Sequence, residues 1–182
     1  MRSFVLFAVL ILLPVFANAQ STRALQAFEK AVAKSRDGDH AKALDGFDAT
    51  LAIIERDSAS DAFFAKVHYN SGVSLYHLDR MTESAVHLNK AVRYAKGRHA
   101  KAYYLLGLIG LETNDLRMAE TSLRDAVSLD SRNGEAWYDL SRVYVSLDEP
   151  AKARRALKRA LKNGAAIRTE QARVNTAFIG YE

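Results

Sequence analysis

Large apolar, small and polar positions recur along the chain at a nearly fixed interval. Trp137, Leu140, Ser141, Tyr144, Ala153, Leu157 and Ala160 stand 34 residues after Tyr103, Leu106, Gly107, Gly110, Ala119, Leu123 and Ala126. That set in turn stands 35 residues after His68, Ser71, Gly72, Leu75, Ser84, Leu88 and Ala91. A more worn copy lies a further 41 residues back, as Ala27, Lys30, Ala31, Lys34, Ala43, Phe47 and Thr50. Within each copy the apolar and small positions fall three and four apart in two runs, the spacing of two helices with one buried stripe each. A repeat of this length, seen four times, is a helix–turn–helix array. The frame predicts an all-α chain with helices over 22–36, 40–56, 60–78, 81–95, 99–112, 115–129, 134–147 and 150–163, and a last short helix within 165–176.

Turn chemistry agrees with this frame. Asp37-Gly38-Asp39 breaks the first pair, with Gly38 suited to a left-handed helix end and Asp39 to capping the next helix. Asn114-Asp115 and Asp148-Glu149-Pro150 fall at the same place in later copies, and Asp79 takes that role in the second. Pro150 is tolerated in a first helical turn, where its missing N–H has no partner to lose. Gly97 and Asn133-Gly134 separate the pairs. The connection around Arg56–Asp61 is longer by several residues and reads as an extended helix or a loop.

The first residues stand outside the repeat. Met1-Arg2 is a short basic start, Phe4 to Phe16 is an almost wholly apolar run of 13 residues, and Ala17-Asn18-Ala19 places small residues where a signal peptidase reads. A spanning helix needs about 20 apolar residues. Residues 1–19 are therefore expected to be a signal peptide cleaved before Gln20, with a retained anchor as the other reading. The expected location is exported, periplasmic first and secreted second, with no stable membrane insertion after cleavage. The chain has no cysteine, which excludes disulfides, thiolate metal sites, a cysteine nucleophile and a cysteine-linked lipid.

Charge adds one feature. The formal net charge is +5, and removal of Arg2 with the signal leaves +4. Much of the excess lies in Lys152, Arg154, Arg155, Lys158, Arg159 and Lys162, opposite Ala153, Leu157, Ala160 and Leu161 on one helix. Such a face is either solvated or a contact with an anionic surface or acidic partner. Behind an export signal, nucleic acid is a poor candidate.

The repeat resembles the tetratricopeptide repeat (TPR) family, which places a large residue, leucine-glycine and tyrosine in its first helix, then alanine, an aromatic or leucine, and alanine in its second. Trp137, Leu140, Tyr144, Ala153, Leu157 and Ala160 match that order most closely, and Gly72 and Gly107 fill the small site. Ser141 replaces that glycine in the fourth copy, and the family's proline after the second helix is missing from all copies. Lys30 and Lys34 stand at normally apolar positions of the first copy and suit a solvated terminal repeat. The resemblance implies a right-handed α-solenoid of about four repeats, at about 24–57, 65–98, 100–133 and 134–167 within a domain of residues 20–182, with a C-terminal cap over 168–182.

What the resemblance implies about a site follows from the family's geometry, in which the first helices line a concave groove. Carried over by position, Phe28, Tyr69, Tyr104 and Tyr138 form an aromatic column there. The second repeat adds Lys66, Asn70, Val73, Tyr76 and His77. From the third come Lys101, Leu105, Leu108, Leu111 and Glu112, and from the fourth Asp139 and Arg142. Tyrosine offers a stiff contact surface with a polar tip. A mixed groove of this kind suits an extended segment or an amphipathic helix with apolar anchors. Packing of these aromatics in the core, or occupation of the groove by a tail carrying Val174, Phe178, Ile179 and Tyr181, are the competing readings. The family's carboxylate clamp is not matched: Phe28 and Val32 occupy its first basic and polar positions and Leu105 its last, although Asn70 and Lys101 fit.

No enzyme is expected. His40, His68, His77, His87 and His99 lack the close pairing of metal ligands on one helix face, and His68 reads as a core substitute. Asp37 and Asp39 lack the further ligands of a calcium loop. Asp130 and Glu135 sit at a repeat junction, where capping explains them. No cofactor and no metal is expected. The expected function is a non-catalytic adapter or scaffold binding a peptide or helix of a partner protein in the groove. Homo-oligomerisation as a self-associating solenoid, or attachment to an anionic surface through the basic last repeat, are the alternatives.

Overall fold

The computed structural model describes residues 22–56 and 59–165. Among them lie eight helices and no strand: α1 (22–36), α2 (His40–Arg56), α3 (Asp61–His77), α4 (Met81–Tyr94), α5 (Ala100–Glu112), α6 (Leu116–Leu129), α7 (Gly134–Ser146) and α8 (Pro150–Lys162). Every helix end falls within one residue of the sequence expectation. The proposed signal 1–19, the cap over 168–182, the last helix beyond Ala165 and the tail residues Val174, Phe178, Ile179 and Tyr181 lie outside the described residues, as do positions 57 and 58 of the long connection. Among the described residues no helix is long and apolar enough to cross a membrane.

Helix ends are set by local chemistry. Met118 N–H donates to Asp115 Oδ1 at 2.9 Å, Ala136 N–H to Asn133 Oδ1 at 3.0 Å, and Lys42 N–H to Asp39 Oδ1 at 3.3 Å. Each bond satisfies a donor that the first helical turn leaves without a backbone partner. His99 caps α5 through Nδ1, which accepts from Ala102 N–H at 3.2 Å. The turn inside every pair carries one left-handed residue, at Gly38 (φ 83°), Asp79 (59°), Asn114 (56°) and Asp148 (57°). Glycine, asparagine and aspartate are the residues that adopt this conformation at least cost, and the chain uses only these three here.

The chain divides into two compact units, one running to Ala95 and the other starting at Lys96. In the first, α3 packs on α4 and on α2, and α1 meets α2 where Ala31 stands against Gly46. Ala24, Ala31, Ala43, Phe47, Ile54 and Val67 form its buried cluster, with Phe28 and Phe63 laid against it. Gly72 lets Leu88 of α4 close on α3; a Cβ there would stand 2.8 Å from the leucine side chain. Ser84 ties the same pair by donating from Oγ to the Gly72 carbonyl at 2.7 Å.

In the second unit α5 packs on α6 and α7 on α8, with α6 also against α7. Leu123, Leu140, Val143 and Leu157 are buried at its centre. Burying a leucine or valine of this kind contributes about 1.5–3 kcal/mol relative to leaving it exposed. A Cβ on Gly107 would lie 2.5 Å from Leu123 Cγ, and one on Gly110 would lie 2.6 Å from the backbone nitrogen of Ala119. The close approach of α5 and α6 therefore depends on both glycines. The buried stripe of α8 is Ala153, Ala156, Leu157 and Ala160. Leu161, expected in that stripe, is 41% exposed, because Ala156 completes the buried row and leaves Leu161 at its flank.

Candidate functional site

The helices α5 and α7, first in their pairs, lie side by side in the second unit. Their contact is polar at one point. The Tyr104 hydroxyl donates to Asp139 Oδ2 at 3.0 Å, and Arg142 Nη1 donates to Asp139 Oδ1 at 3.0 Å. Asp139 is only 7% exposed. Burial pushes its carboxyl above the usual carboxylate range, while the bonds from Arg142 and Tyr104 pull it back down. An ionised carboxylate at this depth needs both donors, since a buried unpaired charge is costly.

Around this cluster stand further residues that the sequence assigned to the groove. Lys101 is exposed, Leu108 and Tyr138 are half-buried, and the Arg142 side chain is 41% exposed. Tyr104 and Tyr138 each rest partly on the unit's core, so packing draws on both rings. Leu105 differs from expectation: it is buried at 9% exposure and contributes to the core, because its position on α5 turns it into the helix pair.

The first unit carries the remaining expected residues. Phe28 packs tilted on Phe47 at 5.9 Å and edge-on to Phe63 at 5.6 Å, so its ring fastens α1 to α2 and α3 and belongs mainly to the core. On α3, Lys66 is exposed and its carbonyl accepts from Asn70 Nδ2 at 2.8 Å. Tyr69, Asn70, Val73 and Tyr76 are half-buried, and burial raises the Tyr69 phenol above its ordinary pKa. His77 is exposed but stacks on His40 at 4.4 Å, and Tyr76 meets it edge-on at 5.8 Å. The four expected column rings thus divide between the units, Phe28 and Tyr69 in the first and Tyr104 and Tyr138 in the second.

The histidines are structural in character. His68 is buried, stacks on Tyr94 at 5.6 Å and has Nδ1 3.4 Å from Nδ1 of His87. Burial, with His87, Lys90 and Arg93 adding to it, pushes the His68 imidazole down to about 4, so it is neutral at pH 7. Among the described residues no group of three or more histidine, cysteine or carboxylate side chains is arranged to hold a metal ion. A basic cleft beside Trp137 is one further feature; the bases of its α8 wall are visible as a run of charge, but the opposite wall comes from α6, which only the fold brings beside it.

A protein-family model, the tetratricopeptide repeat, matches residues 110–173. No curated protein matches the chain in sequence. Among solved structures, the crystal structure of MamA protein superposes with a TM-score of 0.71 at 21% identity, covering 90% of this chain and 85% of that one. A MamA fragment from residue 41 to its end, from Desulfovibrio magneticus RS-1, gives 0.67 at 20% identity, covering 80% and 78%. YrrB, described as a TPR protein with an unusual peptide-binding site, gives 0.69 at 20% identity, covering 87% and 79%. The paired helices, their spacing, the glycines between them and these likenesses agree on a tetratricopeptide-repeat fold, and the family model identifies residues 110–173 as tetratricopeptide repeat.

Proposed function

We propose that the chain is a non-catalytic interaction module that holds an extended segment or amphipathic helix of a partner protein against the first helices of its repeats. The observation that carries this reading is the Tyr104–Asp139–Arg142 cluster. It fixes the orientation of two long side chains between α5 and α7, so a partner meets a preformed polar point beside Lys101, Leu108 and Tyr138. Preformed order of this kind lowers the entropy lost on binding. YrrB's peptide-binding site supports the class of ligand by analogy of fold. The basic, apolar and small-residue segments of residues 1–19 support action outside the cytoplasm after cleavage before Gln20.

Affinity capture with the full chain beside a Lys101→Glu/Leu108→Asp variant tests the binding reading. Both positions are solvent-accessible or half-buried, so circular dichroism of the variant should match the parent. A protein held by the parent and lost by the variant supports the first-helix surface; identical captures contradict it. Mass spectrometry of the protein recovered from its native cell tests export, the expected result being an N-terminus at Gln20.

A further inference from the structure

A cleft of about 640 Å³ opens between α6 and α8, on the second helices of the last two pairs. Its floor is apolar, made by Trp137, Leu140 and Tyr144 of α7. Its rim is cationic: Arg124, Lys152, Arg155 and Arg159 stand around it, with Asp125 the one carboxylate among the lining residues. Two of these bases already have carboxylates beside them, Lys152 with Glu149 at 2.7 Å and Arg124 with Glu120 at 3.8 Å. Arg155 and Arg159 have no carboxylate partner among the described residues. A second recess of about 550 Å³ shares Ser131, Arg155 and Arg159 with the first and continues past them to Arg132, Lys158 and Lys162. No carboxylate lines this second recess.

We propose that the two recesses together form a second binding surface, which takes an acidic peptide segment carrying an apolar side chain among its carboxylates. The surface is distinct from the first-helix surface and stands whether or not that one binds a partner. The apolar side chain fills the first recess against Trp137, Leu140 and Tyr144, and carboxylates pair with Arg155, Arg159 and the bases beyond. Arginine is well suited to this, since its planar fork meets a carboxylate with two hydrogen bonds. An anionic bilayer surface answers the charge but leaves an aromatic-floored recess empty. A nucleic-acid base stacks flat on an open aromatic face, which the Arg159 guanidinium over the Trp137 ring at 4.7 Å takes up. A compact apolar side chain still meets Leu140, Tyr144 and the rest of the Trp137 surface that lines the recess. The combination of recess and bases therefore favours the peptide over either alternative.

Trp137 is the chain's only tryptophan, so its emission reports occupation of the first recess directly. The full chain is titrated with acidic hexapeptides that carry leucine or phenylalanine at each position in turn. The same titrations use all-acidic hexapeptides with glycine at that position, a single-stranded oligonucleotide, and phosphatidylglycerol vesicles. Arg155→Glu removes a rim base, and Arg117→Glu, at an exposed position of α6 outside both recesses, makes the same change of net charge. We expect a saturable shift of Trp137 emission with at least one anchored acidic peptide, binding at least tenfold weaker without the anchor. Arg155→Glu should weaken it at least tenfold, and Arg117→Glu less than twofold. The proposal is overturned if no peptide shifts the emission at millimolar concentration, or if the oligonucleotide or the vesicles bind more tightly than every peptide. Equal losses in the two variants overturn it as well, since they would reduce the effect to net charge.

Discussion

The Tyr104 hydroxyl donates to the Asp139 carboxylate at 3.0 Å, across one repeat and one further residue of sequence. This bond ties the first helix of one pair to the first helix of the next. Because Asp139 is buried, removing the donor strands part of a charged group. Tyr104→Phe keeps the ring against the core and deletes only the hydroxyl. It should cost about 1–3 kcal/mol, the range for a buried acceptor that loses its partner. The Asp139 carboxyl should also rise further above the ordinary carboxylate range, since one of the two bonds that lower it is gone. Urea unfolding measures the first effect and carboxyl-carbon NMR titration the second. An unchanged pair of values would show that the bond does not hold α5 to α7.

A second prediction concerns the α5–α6 crossing. Gly107→Leu must displace Leu123, and Gly110→Ala must push against the backbone of Ala119, which moves less readily than a side chain. Overpacking of this sort costs about 1–3 kcal/mol, or more where backbone is in the way. Thermal unfolding of both variants should show lowered midpoints with helical circular dichroism retained at low temperature. A midpoint equal to that of the parent at Gly107→Leu would mean that α5 and α6 do not meet there.

The turn residues give a prediction of opposite sign. Asp148 holds a left-handed conformation with φ 57°, which an L-residue reaches only at some cost. Asp148→Gly should stabilise the second unit by up to about 1 kcal/mol, and Asp148→Val should destabilise it by more than about 1 kcal/mol. The same ordering is expected at Asp79. Chemical denaturation of the two variants side by side decides the matter, and a valine variant as stable as the parent would contradict the conformation.

Acid should weaken the first unit through its buried histidine. The unfolded chain's imidazole titrates near about 6.5, whereas His68 in the fold is pushed down to about 4. As pH falls through that window the unfolded state takes up a proton that the folded state refuses, so stability falls with it. Below the lower value both states are protonated and this contribution stops changing. Burial lowers His40 and His87 as well, which acts in the same direction. His68→Tyr, the residue type found at the equivalent Tyr103, should flatten the fall in melting temperature on acidification. An identical pH profile for parent and variant would remove His68 from the account.

How much of this was readable from the chain depends on whether the cause is local. Asp37-Gly38-Asp39 and Asn114-Asp115 announced their turns because left-handed backbone and N-terminal caps select a few residue types at one spot. Gly72 and Gly107 were legible for a related reason, since a glycine inside an apolar helix marks a close approach. Gly46 is not legible in the same way, because the other copies carry His87, Ser122 and Ala156 at its position and no repeat marks it as a close approach. The site was only half legible. Repeat position puts Tyr104, Tyr138 and Arg142 on the first helices, but depth distinguishes Leu105 from Leu108, and depth comes from how α5 sits against α6 and α7. The basic residues of α8 were visible as a run of charge. Their enclosure of an apolar floor was not, because that floor belongs to α7 and the opposite wall to α6.

The central claim is that the first-helix surface meets a partner, and site-directed photo-cross-linking in the native cell tests it most directly. A photoreactive benzoylphenylalanine replaces Lys101 or Leu108, both accessible on the first helix α5, or Arg117, exposed on the second helix α6. The account predicts that the probe at Lys101 and at Leu108 captures one and the same foreign protein and that the probe at Arg117 does not. Capture of that protein from Arg117 alone, or capture only of further copies of this chain, would contradict it.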